Sequence, residues 1–467
     1  MSSATRPADV GLDLVPAADP AFEDAALSRV FNRRRPDRRP AAVLRARSAE
    51  DVAAGVRLAN ERGWQVTVRS GGHSWAVWSV RENALLIDLG ALTDLSYDDA
   101  TGVVVAGPAV RGGMDLDPYL AQRGRFFNGG HCPTVGIGGF LLQGGMGWNC
   151  RGWGWAAESI VALDVVTASG ELVRADASQN SDLFWAARGA GPGFPGVVTA
   201  FHLQTRPRFA QLRQTTHVYP RELAADVLGW FHAARHDVPD TVELVVVGIT
   251  APLPPELGYD GSVIVVDGVC FDDDPAAAAA ALAPLDTCPV ADRALLAKRC
   301  EPTEMSELRA EQVRANPEGH RYTVDNAYLT GPAGEVVPRL VPAFTELPTA
   351  KSFSLWFDMG RAPERPLDMA LSMQTDLYYA AYVVHEDEAD DALTRDWLNT
   401  TMRSLEPVTA GCYLGDSDFT RRPQQFMSDE SFARLQEIRA ARDPHGVFPS
   451  YLVADGATLN ENPWEHA

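Results

Sequence analysis

The sequence predicts an α+β protein of two lobes. Its 467 residues exceed what a single hydrophobic core usually serves. Up to about residue 207, short apolar strands alternate with amphipathic helices and glycine-rich turns. Beyond that point, strands separated by amphipathic helices continue without glycine-rich loops, which is typical of an antiparallel sheet with helices on one face. We therefore expect a first lobe of strands and helices and a second lobe built on an antiparallel sheet.

The first lobe begins with a strand at 41–46 and a helix at 48–63. Ser48 and Asp51 form a capping-box pattern at the start of that helix. A strand at 65–70 then leads into the turn Gly-Gly-His-Ser. The next elements are two strands and a helix, predicted in that order at 83–90, 102–107 and 110–124.

The segment Asn128–Trp148 is so rich in glycine that we predict neither helix nor strand in it. Glycine is selected where φ is positive or where the backbone approaches another group closely. After it the chain returns to strands, with a hairpin at 160–175 and a long strand at 195–205.

In the second lobe we predict strands at 244–250 and 262–271, followed by a helix that Asp274 caps and Pro275 opens. A strand at 376–384 places Tyr378 and Tyr382 on one face by its period of two. A final helix ends at Asp443-Pro444.

The charge balance excludes some partners. Aspartate and glutamate number 62 against 41 lysines and arginines, a net charge of −21. That field repels nucleic acid and an anionic membrane surface, whereas neutral or cationic small molecules remain compatible with it. No stretch approaches the roughly 20 apolar residues of a membrane helix, and the first residues lack the apolar core of a secretory signal. We expect a cytoplasmic protein that binds no nucleic acid and no membrane, although solubility alone would also explain the acidity.

The cysteines indicate neither a disulfide framework nor a zinc ribbon, because no CxxC pair occurs. They are Cys132, Cys150, Cys270, Cys288, Cys300 and Cys412. We interpret most of them as small buried side chains. The basic tract Arg33–Arg39 is short and interrupted by proline, and we interpret it as a solvated lead-in instead of an anion site.

The first chemistry-bearing cluster is Arg69–Ser74, directly after a strand. Successive N–H groups in a glycine turn form a nest for an anion such as a pyrophosphate, and Arg69 at its rim can add charge. The cluster lacks the ending of a Walker loop, and no helix opens after it as in a dinucleotide fingerprint. Taken alone, a histidine in such a turn is more often incidental than functional.

The second cluster is Gly129–Gly139, extended by Gly144, Gly145 and Gly147. It offers backbone donors and room for a large flat ligand, and Cys132 within it is a candidate nucleophile. Metal binding by His73, His131 and Cys132 is the rival interpretation. We predict no metal, because supporting carboxylates or thiols at metal-site spacing are lacking.

These stretches carry a resemblance to a known family. VRSGGHSW, GGHCPTVGIGGFLLQGGMGW, ALDVVTASGELV and SDLFWAARGAGPGFPGVVTAFHL are similar to the berberine-bridge-enzyme-like branch of the vanillyl-alcohol-oxidase, or PCMH-type, FAD-linked oxidases. RLQEIRAARDPHGVF matches more weakly. The resemblance implies a lead-in at 1–35, a PCMH-type FAD-binding domain at 36–207, a substrate-binding domain at 208–415 and a segment returning to the FAD domain at 416–467.

The resemblance implies that His73 bonds to the flavin 8α-methyl and that Cys132 forms a thioether to flavin C6, so that FAD is held bicovalently. Val135 matches the residue that governs oxygen access in the family, and a valine there goes with oxidase behaviour. The further expected cofactor contacts are Arg69, Ser70, Gly71, Gly72, Ser74, Val135, Gly136, Gly138, Gly139, Gly145, Gly147 and Val198. The chain departs from the family pattern at His131, Gln143, Pro195 and Ser431-Phe432.

The implied activity is oxidation of a small alcohol, hemiacetal, amine or phenolic carbon, with O₂ as acceptor and H₂O₂ as product, in secondary metabolism by analogy with the branch. Hydride transfer to flavin needs a group that accepts the substrate's proton. We favour Tyr413 with Tyr378. Tyr382, Asp376 and Asp416 remain candidates. A dehydrogenase with another acceptor and a non-catalytic flavin-binding protein are the alternatives, and the chain is expected to be a monomer or homodimer.

Overall fold

The computed structural model describes residues 11–250, 258–360 and 367–454, together with the backbone of 458–459. It confirms the predicted α+β class: the chain forms two lobes, and both contain antiparallel strands and helices. The first lobe holds two sheets. The second is built on one large sheet.

The first sheet has the strand order β1-β2-β4-β3, in which β2, β4 and β3 are parallel. Its strands are β1 (Leu14–Pro16), β2 (Ala42–Arg45), β3 (Gln65–Arg69) and β4 (Ala84–Asp88). The second sheet is antiparallel, with the order β5-β6-β10-β8-β9. Its strands are β5 (Leu95–Asp98), β6 (Val103–Ala106), β8 (Ile160–Val166), β9 (Leu172–Asp176) and β10 (Val197–Gln204), while β7 (Arg125–Phe126) pairs with β11 (Arg206–Pro207).

The helices of the first lobe are α1 (Phe22–Leu27), α2 (Ala49–Arg62), α3 (Asp117–Ala121), α4 (Ile137–Leu142), α5 (Cys150–Trp153) and α6 (Ser181–Ala186). The Ser48 half of the predicted capping box is confirmed, because the Ser48 side chain accepts a hydrogen bond from the Asp51 N–H at 3.2 Å, whereas the Asp51 carboxylate accepts from the Arg47 N–H. The apolar face of α2 packs with both sheets, and Val52 and Val56 share a core with Leu44 of β2 and Val166 of β8.

One sequence prediction in this lobe is confirmed and one is wrong. The helix expected at 110–124 is present over 112–121, as a π-helical turn over Gly112–Leu116 that continues into the short α3. The glycine-rich segment, in which we expected no helix, contains α4. Ile137 and Leu141 lie one turn apart in α4 and are both buried, so tertiary packing outweighs the low helix propensity of the glycines between them.

The second lobe is an eight-stranded antiparallel sheet with the order β15-β12-β14-β13-β17-β18-β16-β19. Its strands are β12 (Leu212–Pro220), β13 (Val242–Ile249), β14 (Val263–Cys270), β15 (Leu296–Thr303), β16 (Arg321–Leu329), β17 (Phe353–Asp358), β18 (Leu377–His385) and β19 (Thr409–Gly411). A two-stranded pair, β20 (Tyr451–Leu452) with β21 (Thr458–Leu459), follows near the end of the described chain.

Helices cover one face of this sheet, as predicted. They are α7 (Ala224–Ala234), α8 (Pro275–Leu282), α10 (Ala333–Thr345) and α11 (Asp391–Leu405), which share one apolar core with the sheet. The Asp274 cap of α8 is confirmed. Two helices reach the first lobe: α9 (Met305–Ala315) packs near Phe126, and α12 (Asp429–Arg442) packs near Leu183 and Trp185 of α6. The other face of the sheet is turned towards the glycine loops of the first lobe.

Gly72 is a backbone position where we expect substitution to be costly. Its φ is +81°, and an added Cβ would lie 1.8 Å from the Arg29 carbonyl oxygen. Gly72→Ala should lower the free energy of unfolding by about 3 kcal/mol, because left-handed strain and a backbone collision add together. Gly124→Ala is the matched control, since φ is +65° but nothing lies within 4 Å. It should cost about 1 kcal/mol. Equal losses in urea unfolding would contradict this account.

Candidate active site

A cavity of about 1590 Å³ lies between the two lobes. The loop after β3 and the Gly136–Gly139 segment line one side, and side chains from β12, β13, β14, β17 and β18 line the other. A single small-molecule site usually occupies roughly 300–1,000 Å³. The cavity is therefore large enough for a cofactor and a second ligand together.

The two glycine clusters form one wall because their backbones touch. A Cβ on Gly71 would lie 2.6 Å from the Gly136 nitrogen, and a Cβ on Gly138 would lie 2.7 Å from Ser70 Oγ. Any side chain at these positions would force the loops apart. Gly139 differs from them, since nothing lies within 4 Å of an added Cβ there. The wall is thus closely packed behind and open in front, which suits a flat ligand.

The loop after β3 has the donors that an anion nest requires. Gly71, Gly72 and His73 line the cavity, and none of their backbone N–H groups donates to another group within the described part of the chain. Such unused N–H groups in a glycine turn suit a phosphate oxygen. Their assignment, with Ser70 and Ser74, to cofactor binding stays a prediction.

Arg69 lines the cavity but does not offer a free charge at its rim, and its contact with the cofactor stays a prediction. Its guanidinium is buried, donating to Asp88 Oδ2 at 2.6 Å and to the Ala25 carbonyl oxygen at 2.6 Å. These bonds tie β3 to α1 and β4. Arg29, which the sequence analysis missed, contacts both Asp88 and the Ser70 carbonyl oxygen. Arg29 lies in the predicted lead-in, and no local motif distinguishes it.

His73 faces the cavity with its ring fixed on three sides. Nε2 lies 2.9 Å from Thr134 Oγ1, Nδ1 lies 3.3 Å from the Gly71 carbonyl oxygen, and the ring stacks on Phe31 at 4.4 Å. Burial lowers the pKa of His73 to about 4, so the imidazole is neutral at physiological pH. A neutral ring retains the nitrogen lone pair that a covalent bond needs.

Cys132 meets the same threonine. Its Sγ lies 3.4 Å from Thr134 Oγ1, and both Cys132 and His73 line the cavity. Burial raises the pKa of Cys132, so this environment does not activate the thiol by itself. The structure thus brings together the two residues singled out from separate stretches of sequence, and it adds Thr134, which the sequence analysis passed over as part of the Pro-Thr-Val run.

The remaining predicted cofactor contacts divide into two groups. Val135, Gly136, Gly138, Gly139, Ser74 and Val198 line the cavity. Gly145 and Gly147 do not, and their contact with the cofactor stays a prediction. A Cβ on Gly147 would lie 2.0 Å from the Asn128 carbonyl oxygen, and one on Gly145 would lie 2.9 Å from the Phe140 ring. Their absent side chains permit close packing behind the wall.

Asp416 is the centre of a hydrogen-bonded cluster on the opposite side. Its Oδ2 accepts from the hydroxyl of Tyr378 at 2.6 Å and from that of Tyr382 at 2.9 Å, and its Oδ1 accepts from Trp75 Nε1 at 3.0 Å. The predicted shared face of Tyr378 and Tyr382 is therefore confirmed. Tyr382 and Asp416 line the cavity, whereas Tyr378 is fully buried behind them. Tyr378 can take part in proton transfer only through Asp416.

Tyr382 and Tyr413 line the cavity, and both hydroxyl groups stay protonated. Burial, and after it the Asp416 charge, raises the pKa of Tyr382 well above its usual value. Burial also raises the pKa of Tyr413, whose hydroxyl oxygen accepts a hydrogen bond from the Met146 N–H at 3.3 Å. Asp376 lies elsewhere, paired with Arg235 at 2.8 Å in a separate, smaller cavity, so it is not part of this site.

His131, beside the predicted flavin-bonding cysteine, reaches across to the second lobe. Its Nε2 lies 3.1 Å from both carboxylate oxygens of Glu243 on β13, and its ring packs against Trp148 at 4.4 Å. Glu243 also accepts from the Asn149 N–H at 2.6 Å. No local sequence motif marks Glu243 as a site residue.

Within the described residues, no group of three His, Cys, Asp or Glu side chains is placed to hold a metal. No described helix is long and apolar enough to cross a bilayer.

Comparison with known proteins decides the family. Residues 40–176 match the FAD binding domain family. The chain is 35% identical to the FAD-linked oxidoreductase nodO of Hypoxylon pulicicidum over 432 residues, which cover 92% of this chain and 94% of that protein. The chain belongs to the family of FAD-linked oxidoreductases. The predicted membership of the FAD-linked oxidoreductases, FAD binding and oxidoreductase activity on a small molecule are thereby confirmed.

Solved structures of other proteins share this fold. The 6-hydroxy-D-nicotine oxidase of Arthrobacter nicotinovorans superposes with a TM-score of 0.80 at 22% identity, over 96% of this chain and 98% of that one. The berberine-bridge-enzyme-like protein 1 of Physcomitrella patens gives a TM-score of 0.80 at 20% identity, over 94% and 96% of the two chains. At these identities the likeness concerns the fold, and it covers both lobes.

Proposed function

We propose that this FAD-linked oxidoreductase is an oxidase whose flavin is bonded to both His73 and Cys132. The observation that carries the proposal is the position of these two side chains on one cavity wall, where both contact the Thr134 hydroxyl. The chemistry that bound FAD would supply is acceptance of a hydride from the substrate and transfer of the electrons to O₂, with H₂O₂ as product. Two attachment points would hold the ring while leaving the second lobe free to accommodate the substrate.

The chain's own residues would hold the cofactor in three ways. The unused N–H groups of Gly71, Gly72 and His73 suit the pyrophosphate. The open face of Gly139 leaves room for a ring system against the wall. The neutral imidazole of His73 and the sulfur of Cys132 supply the two covalent contacts.

The substrate's O–H or N–H proton would move through Tyr382 to Asp416. Tyr382 lines the cavity and already donates its hydroxyl proton to Asp416. The raised pKa of Tyr382 disfavours a phenolate. We therefore expect Tyr382 to accept the substrate's proton and donate its own proton to Asp416 in one concerted step. Tyr378 and Trp75 hold the Asp416 carboxylate in place as positioning residues. Tyr413 stays a candidate substrate contact, because it lines the same cavity.

The reaction of the reduced flavin with O₂ distinguishes an oxidase from a dehydrogenase that uses another electron acceptor. The experiment is to photoreduce the holoenzyme without air and mix it rapidly with air-saturated buffer. An oxidase should regain its yellow flavin spectrum and release one H₂O₂ per flavin. Flavin that stays reduced and releases no peroxide would contradict oxidase function while leaving the family assignment intact.

Val135 is expected to set the rate of that reoxidation. It lines the cavity next to the two flavin-bonding residues, so Val135→Leu should narrow the path of O₂ and slow reoxidation without changing flavin reduction by substrate. Val245→Leu is the matched control, since Val245 lines the cavity from β13 on the opposite side. Equal reoxidation rates in both variants and the wild type would show that Val135 does not control oxygen access.

A further inference from the structure

Asp267 is a carboxylate on the cavity face of the second lobe's sheet. It lies on β14 and lines the cavity. Its Oδ1 accepts hydrogen bonds from Thr216 Oγ1 at 2.6 Å and from Gln214 Nε2 at 3.0 Å, both on the adjacent β12. Thr216 and Gln214 also line the cavity. The carboxylate is thus held in a fixed orientation, and both of its protein partners are neutral.

Lack of a cationic partner distinguishes Asp267 from most of the buried carboxylates among the described residues. Five of those lie within 3.0 Å of an arginine nitrogen: Asp88 with Arg69, Asp117 with Arg208, Asp325 with Arg422, Asp358 with Arg151, and Asp418 with Arg34. Asp267 has no lysine, arginine or histidine nitrogen within 4.0 Å among the described residues. A desolvated carboxylate is most stable beside a positive charge. At Asp267 no described side chain supplies that charge at contact distance, so a bound cation would stabilise it.

The surrounding negative charges further disfavour an unpaired carboxylate at Asp267. Burial most strongly, and then Glu311 of α9 and Glu243 of β13, raise the pKa of Asp267 to about 6. Lys298 of β15 and Arg314 line the same end of the cavity, but their charge acts on Glu311. At neutral pH Asp267 is mostly ionised in a region of negative potential.

An apolar track connects Asp267 to the proton-accepting cluster. Cross-strand pairing places Asp267 opposite Val245, Val245 opposite Phe357, and Phe357 opposite Tyr378, whose hydroxyl binds Asp416. Neighbouring strands lie about 4.8 Å apart, so the β14 and β18 backbones are separated by about 14 Å. Val245 and Phe357 line the cavity between them. The row can accommodate an elongated, mainly apolar molecule.

We propose that Asp267 selects substrates that carry a cationic nitrogen, which it binds while the apolar body lies along Val245 and Phe357 towards Tyr382 and Asp416. This inference rests on the proposed function for the site at which the substrate reacts. It adds the chemical class of that substrate, an organic cation with an apolar body. Asp267 is a specificity residue, and Thr216 and Gln214 position it.

Calorimetric binding of matched probes to the holoenzyme tests the proposal. Phenylbutylammonium and phenylbutanol differ at one terminal group, so their affinity ratio reports charge selection alone. We expect the cation to bind at least about tenfold more tightly, with the ratio rising as pH increases through the pKa of about 6. Asp267→Asn should abolish the preference and its pH dependence while leaving phenylbutanol binding unchanged. Asp260→Asn is the matched control, because it removes an exposed carboxylate near the start of the same strand. It should keep both the cation preference and its pH dependence.

Three results would overturn the proposal: no cation preference in the wild type, a preference that survives Asp267→Asn, or loss of both probes in that variant. The last would show that Asp267 supports the cavity and does not select charge. The measurement needs neither turnover nor oxygen. A cation preference without peroxide production would therefore contradict the proposed oxidase function and support the inference, and the reverse pattern would do the opposite.

Discussion

Asp416→Asn is expected to lower the rate of flavin reduction by about 10²–10⁴-fold, the usual contribution of a general base. The asparagine amide has the size of the carboxylate and can still accept a hydrogen bond from the Tyr382 hydroxyl. It cannot take up the proton that Tyr382 passes on. The measurement is anaerobic stopped-flow reduction of the holoenzyme by a substrate identified through peroxide release. Flavin content of the variant should match that of the wild type, since Asp416 bonds to Trp75, Tyr378 and Tyr382 and not to His73 or Cys132.

Two comparisons sharpen this prediction. Tyr382→Phe should give a loss of similar size, because it breaks the same relay, whereas Tyr378→Phe should give a smaller one, because Tyr378 only positions Asp416. Asp376→Asn is the matched control, since that carboxylate pairs with Arg235 outside the cavity. If Asp416→Asn reduced its flavin as fast as Asp376→Asn, Asp416 would not be the proton acceptor.

The double variant His73→Ala, Cys132→Ala is expected to release all of its flavin on acid precipitation. Each single variant should retain flavin in the pellet through the remaining bond. The physical reason is that the two residues contact the cavity from separate loops, so either can bond without the other. The measurement is the flavin absorbance of pellet and supernatant after denaturation.

Cys300→Ser is the control for loss of a thiol. Cys300 is partly exposed, as Cys132 is, but lies on β15 and does not line the cavity. It should leave flavin retention unchanged. Complete release from one single variant would show that only its replaced residue is bonded, and retention by the double variant would place the bond on another side chain.

Local sequence signals predicted the parts of the fold that local forces decide. The α2 cap, the α8 cap and the shared face of Tyr378 and Tyr382 follow from short-range rules, and all three are present. The helix α4 was missed for the converse reason. Its glycines disfavour a helix, but burial of Ile137 and Leu141 stabilises one in this fold.

Long-range partners could not be read from the sequence. Arg69 has the charge expected of an anion-binding residue, yet Asp88 and the end of α1 bind it in the interior. Glu243 lies far along the chain from His131, and only the packing of the second lobe brings them together. Gly145 and Gly147 share the composition of the cofactor loop but serve close backbone packing. Composition identified the glycine region, whereas tertiary contacts decide what each glycine does.

The bicovalent attachment of FAD is tested most directly by the mass of the denatured wild-type protein, followed by peptide mapping. We expect a chain heavier than its 50.6 kDa sequence by one FAD, with a single flavin joining the peptide that contains His73 to the peptide that contains Cys132. A denatured chain at the mass of the sequence alone, with all flavin in solution, would contradict it.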